Sequence, residues 1–127
     1  MSFPSTADVM ERFNRAFVER DRGLLGDLVA EDCVMESVQP APTGERVTGR
    51  QACLDWWGAL VDDLTSAFEP QEVIVAGDRA TIHWHYRYGP GPSDWVSGVN
   101  LMRVRDGQIV EALGFSKTAG EVPLATA

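Results

Sequence analysis

Along residues 6–17 the apolar positions fall three and four apart, and Val9, Met10, Phe13 and Phe17 mark one buried face of a helix. Ser5 or Thr6 can cap it, with Asp8 in the first turn. Asp21 then stands as the cap of a predicted short second helix carrying Leu24, Leu25, Leu28 and Val29. DCVMESV (32–38) reads as a short strand, and QPAPTGE after it as a loop, from its Pro and Gly content. Residues 48–68 predict a third helix, with Thr48 and Gln51 as a capping box. Its face would carry Cys53, Trp56, Trp57, Leu60, Val61, Leu64 and Phe68. After Pro70 the period shortens to two. EVIVA (72–76), RATIHWHYRY (79–88), WVSGVNLMRVR (95–105) and QIVEALGF (108–115) read as four strands, the last pair joined by the hairpin signal Asp106-Gly107. Three helices followed by an antiparallel meander predict an α+β fold with helices on one face of the sheet.

Within the second strand, Ala80, Ile82, Trp84, Tyr86 and Tyr88 share one face, and Thr81, His83, His85 and Arg87 share the other. Burying the first set removes much more apolar surface from water, so it is expected to face inward. Both histidines then point outward together, unless a bulge flips part of the strand.

Composition narrows the class. One chain of 127 residues, 44% hydrophobic and 24% charged, fits a single globular domain over 1–127. Its core is expected over about 6–117, with a tail at 118–127. A net charge of −8 argues against a nucleic-acid or anionic-membrane partner. No run approaches the roughly 20 apolar residues of a membrane span. MSFPSTADVMERF lacks the pattern of a signal peptide, and Cys33 and Cys53 have no metal-ligand spacing. A cytoplasmic protein with reduced thiols and no bound metal is therefore expected.

Four phrases in order, RAFVERDRGLLGDLVAEDCVMES, TGRQACLDWW, AGDRATIHW and VNLMRVRDGQIVEA, make the chain resemble the nuclear transport factor 2-like superfamily. Within it the chain looks most like SnoaL-type polyketide cyclases and bacterial ketosteroid isomerases. The resemblance implies a cone-shaped, strongly curved antiparallel sheet wrapped around three N-terminal helices and a deep apolar pocket. It implies cofactor-free acid/base chemistry (cyclisation, isomerisation or dehydration) on a small hydrophobic molecule, or a non-catalytic binding or association domain of the same fold. It also implies a homodimer through the outer sheet face.

Carried over residue by residue, the resemblance puts Phe13 at the tyrosine position of the ketosteroid isomerases, Ser37 at the base position and Asn100 at the oxyanion aspartate position. Phenylalanine donates no hydrogen bond and serine is no base at neutral pH, so that mechanism is not expected. Asn100 could donate to a carbonyl or enolate at any pH, or be a polar strand residue satisfied by backbone or water. Glu36, beside the base position, could act as the base or stay solvated. Glu111, on the last strand, is a similar open case. The limonene epoxide hydrolase set would need an aspartate where Gly114 stands. Asp21 with His83 or His85 could imitate the dyad of scytalone dehydratases, although a cap explains Asp21 fully. The expected pocket wall is Phe13, Phe17, Ser37, Trp56, Trp57, Trp84, Tyr86 and Met102, and adjacency on a helix keeps Trp56 and Trp57 from facing the same way.

Overall fold

Ser5 caps the first helix as its position suggests: its hydroxyl accepts the Asp8 backbone N–H at 3.1 Å. A computed structural model describes residues 2–117 and Pro123, so the expected tail at 118–127 lies outside the described residues apart from Pro123. Helix α1 runs Thr6–Val18 and buries Val9, Met10, Phe13, Ala16 and Phe17 along the predicted face. Asp21 accepts the Gly23 N–H at 3.0 Å, but what it caps is one 3-10 turn, Arg22–Leu25, and not a second α-helix. Gly23 and Gly26 make a longer helix costly there. Leu28 closes the turn by donating its N–H to Leu25, and the chain then enters strand β1, Val29–Glu36. The three expected helices are thus two.

The second helix, α2 (Arg50–Asp62), is shorter than predicted at both ends. Thr48 belongs to a short strand, β2 (Arg46–Thr48), so the expected capping box does not form, and the Gln51 amide donates instead to Asp55 at 2.8 Å. At the other end the Arg20 guanidinium donates to the carbonyls of Val61, Asp63 and Ser66 at 3.2, 2.9 and 2.5 Å. These are carbonyls left over where a helix stops, and a charged donor from another element satisfies them. Phe68, read as the last residue of the helix face, is therefore a strand residue.

The remaining strands are β3 (Ala67–Ala76), β4 (Arg79–Arg87), β5 (Trp95–Arg105) and β6 (Gln108–Ser116). Asp106 and Gly107 turn β5 into β6 with φ of 52° and 74°, the left-handed pair that suits a tight hairpin. The sheet order is β2-β1-β6-β5-β4-β3. It is not wholly antiparallel, because β1 lies parallel to β6. Parallel neighbours need a long connection, and the rest of the chain, α2 included, supplies it. Register shifts at Val29/Val34, Pro70/Glu72 and Arg103/Val104 bend the ladder into a curve.

Helix α1 lies against β3 and β4, and α2 against β1 and β2. The inner face of the central strands β5 and β6 is covered fully only at one end, where Met102, Val104, Ile109 and Ala112 are buried. Cys33 and Cys53 are both free and buried between α2 and β1, and burial pushes both thiols up from their ordinary values. No helix among the described residues is long and apolar enough to cross a membrane.

Candidate functional site

Small side chains create the open end of the sheet. Along the inner face of β6 the alternate residues are Ala112, Gly114 and Ser116, and on β5 they are Val96, Gly98 and Asn100. Little bulk rises from these strands, so a cavity of about 780 Å³ lies between them and the helices. A space of that size is in the range that small-molecule sites occupy.

Its floor is a continuous run of aromatic rings. Trp57 meets Phe13 edge-on at 5.2 Å, and Phe13 meets Phe17 at 5.0 Å. Phe17 meets Phe68 at 5.1 Å, and Phe68 meets Trp84 at 5.8 Å. Pairs at these separations and tilts each contribute about 0.5–1.5 kcal/mol beyond the area they bury. Trp56 and Trp57 both border the cavity, Trp57 buried in the floor and Trp56 half-buried beside it, so each keeps a different share of water. All four tryptophans of the chain, Trp56, Trp57, Trp84 and Trp95, line the space.

One polar pair is set into this wall. Trp84 and Asn100 lie on the inner face of neighbouring strands, and the Trp84 indole N–H donates to Asn100 Oδ1 at 3.1 Å. An indole nitrogen only donates, so it fixes which end of the amide is oxygen. The Asn100 NH₂ group is left without a protein acceptor among the described residues, at a side chain that borders the cavity. Gly98 makes this pair possible, because it faces Trp84 across the ladder and the indole lies over it.

The other acid/base candidates lie elsewhere. Glu36 is turned to the outer side of β1, where Arg46 holds its carboxylate at 2.9 Å. Ser37 borders the cavity, but its hydroxyl is engaged: it donates to the Gln39 carbonyl at 2.6 Å and accepts the Glu45 N–H at 3.0 Å. Asp21 is exposed and occupied as the cap of the 3-10 turn. His83 and His85 share the outer face of β4, with Trp84 inward between them. His83 Nε2 is 3.1 Å from the Ser97 hydroxyl, and His85 stacks on Trp95 at 4.8 Å. The structure therefore does not bring Asp21 and either histidine into the cavity, and Asp21 serves as the cap that its position already explained. Glu111 lies opposite Arg103, on the outer face.

Of the expected wall, Phe13, Phe17, Ser37, Trp56, Trp57, Trp84 and Tyr86 border the cavity, whereas Met102 is sealed in the core beneath it. Tyr88, expected inward with Trp84 and Tyr86, borders it too, whereas Leu60, Phe68, Ser116 and Lys117 border it without having been singled out as wall residues from the sequence. The small residues at alternate positions of EALGFS were the available signal for the β6 side. Among the described residues no cluster of His, Cys, Asp or Glu is arranged to hold a metal ion.

Comparison with known proteins places these features in a group. A family model for the SnoaL-like domain matches residues 10–112. The chain is similar to a nuclear transport factor 2-like protein of unknown function from Mesorhizobium loti, at 50% identity over 89% of this chain and 91% of that one, with a TM-score of 0.84. It is similar to a protein provisionally named polyketide cyclase from Sinorhizobium meliloti, at 27% identity over 84% and 93%, with a TM-score of 0.69. A protein provisionally named ketosteroid isomerase from Kribbella flavida shares the fold at 19% identity over 94% and 83%, with a TM-score of 0.74. No curated protein matches the chain.

Proposed function

Because the chain belongs to the SnoaL-like domain family, within the nuclear transport factor 2-like superfamily, we propose that its cavity takes up a hydrophobic, ring-bearing carbonyl compound and holds the oxygen on the Asn100 amide. The observation that carries this reading is the Trp84–Asn100 hydrogen bond, which leaves the NH₂ as a fixed donor beside an aromatic floor. A neutral donor held in place in an apolar surrounding stabilises negative charge as it develops on a carbonyl oxygen. That is the assistance an isomerisation, cyclisation or dehydration through an enolate-like state requires, and it needs no pKa adjustment and no cofactor.

For turnover the expected result of Asn100→Ala is a loss of about 10²–10³ in kcat. The accompanying loss of folding stability should be about 1–3 kcal/mol, from the indole N–H left without its acceptor. The cognate substrate can be sought by extracting what copurifies with the protein. Activity that falls only in proportion to the folded fraction in thermal melts would overturn the oxyanion role.

A second reading, a binder without catalysis, is favoured by one observation: the carboxylate of Glu36 is held by Arg46, and the rings of His83 and His85 do not border the cavity. Turnover that follows a pH–rate profile supports the enzyme, and saturable affinity without turnover supports the binder.

We also propose that two copies pair through the outer sheet face. Leu101 and Phe115 are 43% and 51% exposed on that face. The register places Arg79, Arg87 and Arg103 on that face together with Glu69, Glu72 and Glu111, with Arg103 opposite Glu111, a balanced set on a chain whose net charge is −8. A balanced apolar face allows two strongly acidic chains to approach. Sedimentation of the wild type should give a dimer, and Leu101→Glu should give a folded monomer. A monomeric wild type at tens of micromolar would overturn the pairing.

A further inference from the structure

The chain has ten arginines and a single lysine, Lys117, and that lysine borders the mouth of the cavity. The arginines are largely committed within the protein. Arg12, Arg15, Arg22, Arg46 and Arg105 pair with carboxylates, and Arg20, Arg50 and Arg87 donate to backbone carbonyls. Lys117 makes no ion pair with any described residue. Its backbone is nevertheless fixed, since its N–H donates to the Ser97 carbonyl at 2.9 Å and continues the β5–β6 ladder past Ser116.

The cavity wall is otherwise nearly without charge. Among the residues that border it, Glu36 is the other one bearing a charge, and Arg46 holds its carboxylate on the opposite side of the strand. On a chain of net charge −8, the described residues thus give this mouth a local positive charge. Asn100 pairs with Gly114, and Lys117 lies three residues further along the chain, just past the end of β6, which is about 10 Å at the rise of a strand. The two donors therefore suit the two ends of one elongated molecule.

We propose that the compound taken up is an anionic amphiphile, a ring system bearing a carbonyl at one end and a carboxylate about 10 Å away, with Lys117 as the residue that selects the carboxylate. The inference rests on the cavity reading above and adds the second end of the ligand to it. Lysine suits this place because its ammonium is a compact charge on a flexible stem, able to follow a carboxylate at a solvent-facing mouth. The ring system lies on the aromatic floor, the carbonyl oxygen accepts from the Asn100 amide, and the carboxylate stays at the water boundary, where its desolvation is small.

The test uses 6-acetyl-2-naphthoic acid, its methyl ester and 2-acetylnaphthalene, titrated against the full chain with tryptophan fluorescence as the readout. Wild type should bind the acid about three- to tenfold more tightly than the ester, the range of a partly exposed charge-assisted pair. Added salt should reduce this preference. Lys117→Met should abolish it by weakening the acid more than the ester, and Lys117→Glu should reverse it. Equal binding of acid and ester by wild type would overturn the carboxylate assignment and leave the cavity reading standing. Binding of none of the three compounds would overturn both. An acid preference that survives in Lys117→Met would assign the carboxylate to another group and remove Lys117 from the role.

Discussion

Trp84→Ala is expected to cost about 3–5 kcal/mol of folding stability, the range for truncating a large buried aromatic side chain. Trp84 is buried on the inner face of β4, in ring contact with Phe68 and hydrogen-bonded to Asn100. Its loss breaks the aromatic floor between β3 and β4 and frees the Asn100 amide to rotate. Trp84→Phe separates the two effects. The ring contact with Phe68 is largely kept, so the stability loss should be about 1 kcal/mol, the net value of a hydrogen bond. The amide is no longer oriented, so the preference for a ketone over the matching hydrocarbon should disappear. Denaturant unfolding measures the first quantity, through a shifted midpoint at unchanged slope. Titration with 2-acetylnaphthalene and 2-ethylnaphthalene measures the second. A Phe variant that keeps wild-type ketone preference would show that the indole does not orient Asn100.

Gly98→Ala is expected to cost about 1–3 kcal/mol, although it adds one methyl group. A Cβ at Gly98 would overlap the Phe115 carbonyl oxygen on β6 and the outer carbons of the Trp84 ring. The indole can move only by giving up its bond to Asn100, and the Phe115 oxygen is backbone of a paired strand. The variant should therefore melt lower and also lose ketone preference. Combining it with Trp84→Phe should cost less than the two changes summed, because the smaller ring relieves one of the two overlaps. Additive losses in that cycle would mean that the Trp84 ring is not what Gly98 makes room for.

The local readings that needed only period or turn chemistry are present in the structure. Alternation in RATIHWHYRY separates Trp84 from the two histidines, and Asp106-Gly107 makes the β5–β6 turn. Errors arose where a residue's fate depends on a distant partner. Phe68 continues the helical spacing of Trp57 and Val61, yet the chain leaves the helix at Asp62, and Arg20, from a different element, holds the carbonyls exposed there. Thr48 has the form of a helix cap but is drawn into β2 by pairing with Val34. Leu24, Leu25 and Leu28 are spaced for a helix, and two glycines reduce it to a turn.

The site divides in the same way. Asn100 was singled out because the family resemblance put it at the oxyanion position, and because an amide is a donor at every pH. Glu36 was not, because nothing within its own strand says that Arg46, ten residues on across a loop, will hold its carboxylate outward. Lys117 was passed over because a single lysine after a strand carries no local pattern; its position follows from the pairing of Ser97 with the end of β6.

The amino-acid sequence by itself determined the α+β order, the faces that the residues of RATIHWHYRY take and the supply of aromatic side chains, because periodicity and turn chemistry act between near neighbours. Only the tertiary structure decided that small residues on two central strands leave a cavity. It also decided that an indole fixes one amide within it, and that Arg46 holds the Glu36 carboxylate on the outer side of its strand. Those outcomes depend on which strands become neighbours, which is a property of the assembled sheet and not of any one segment.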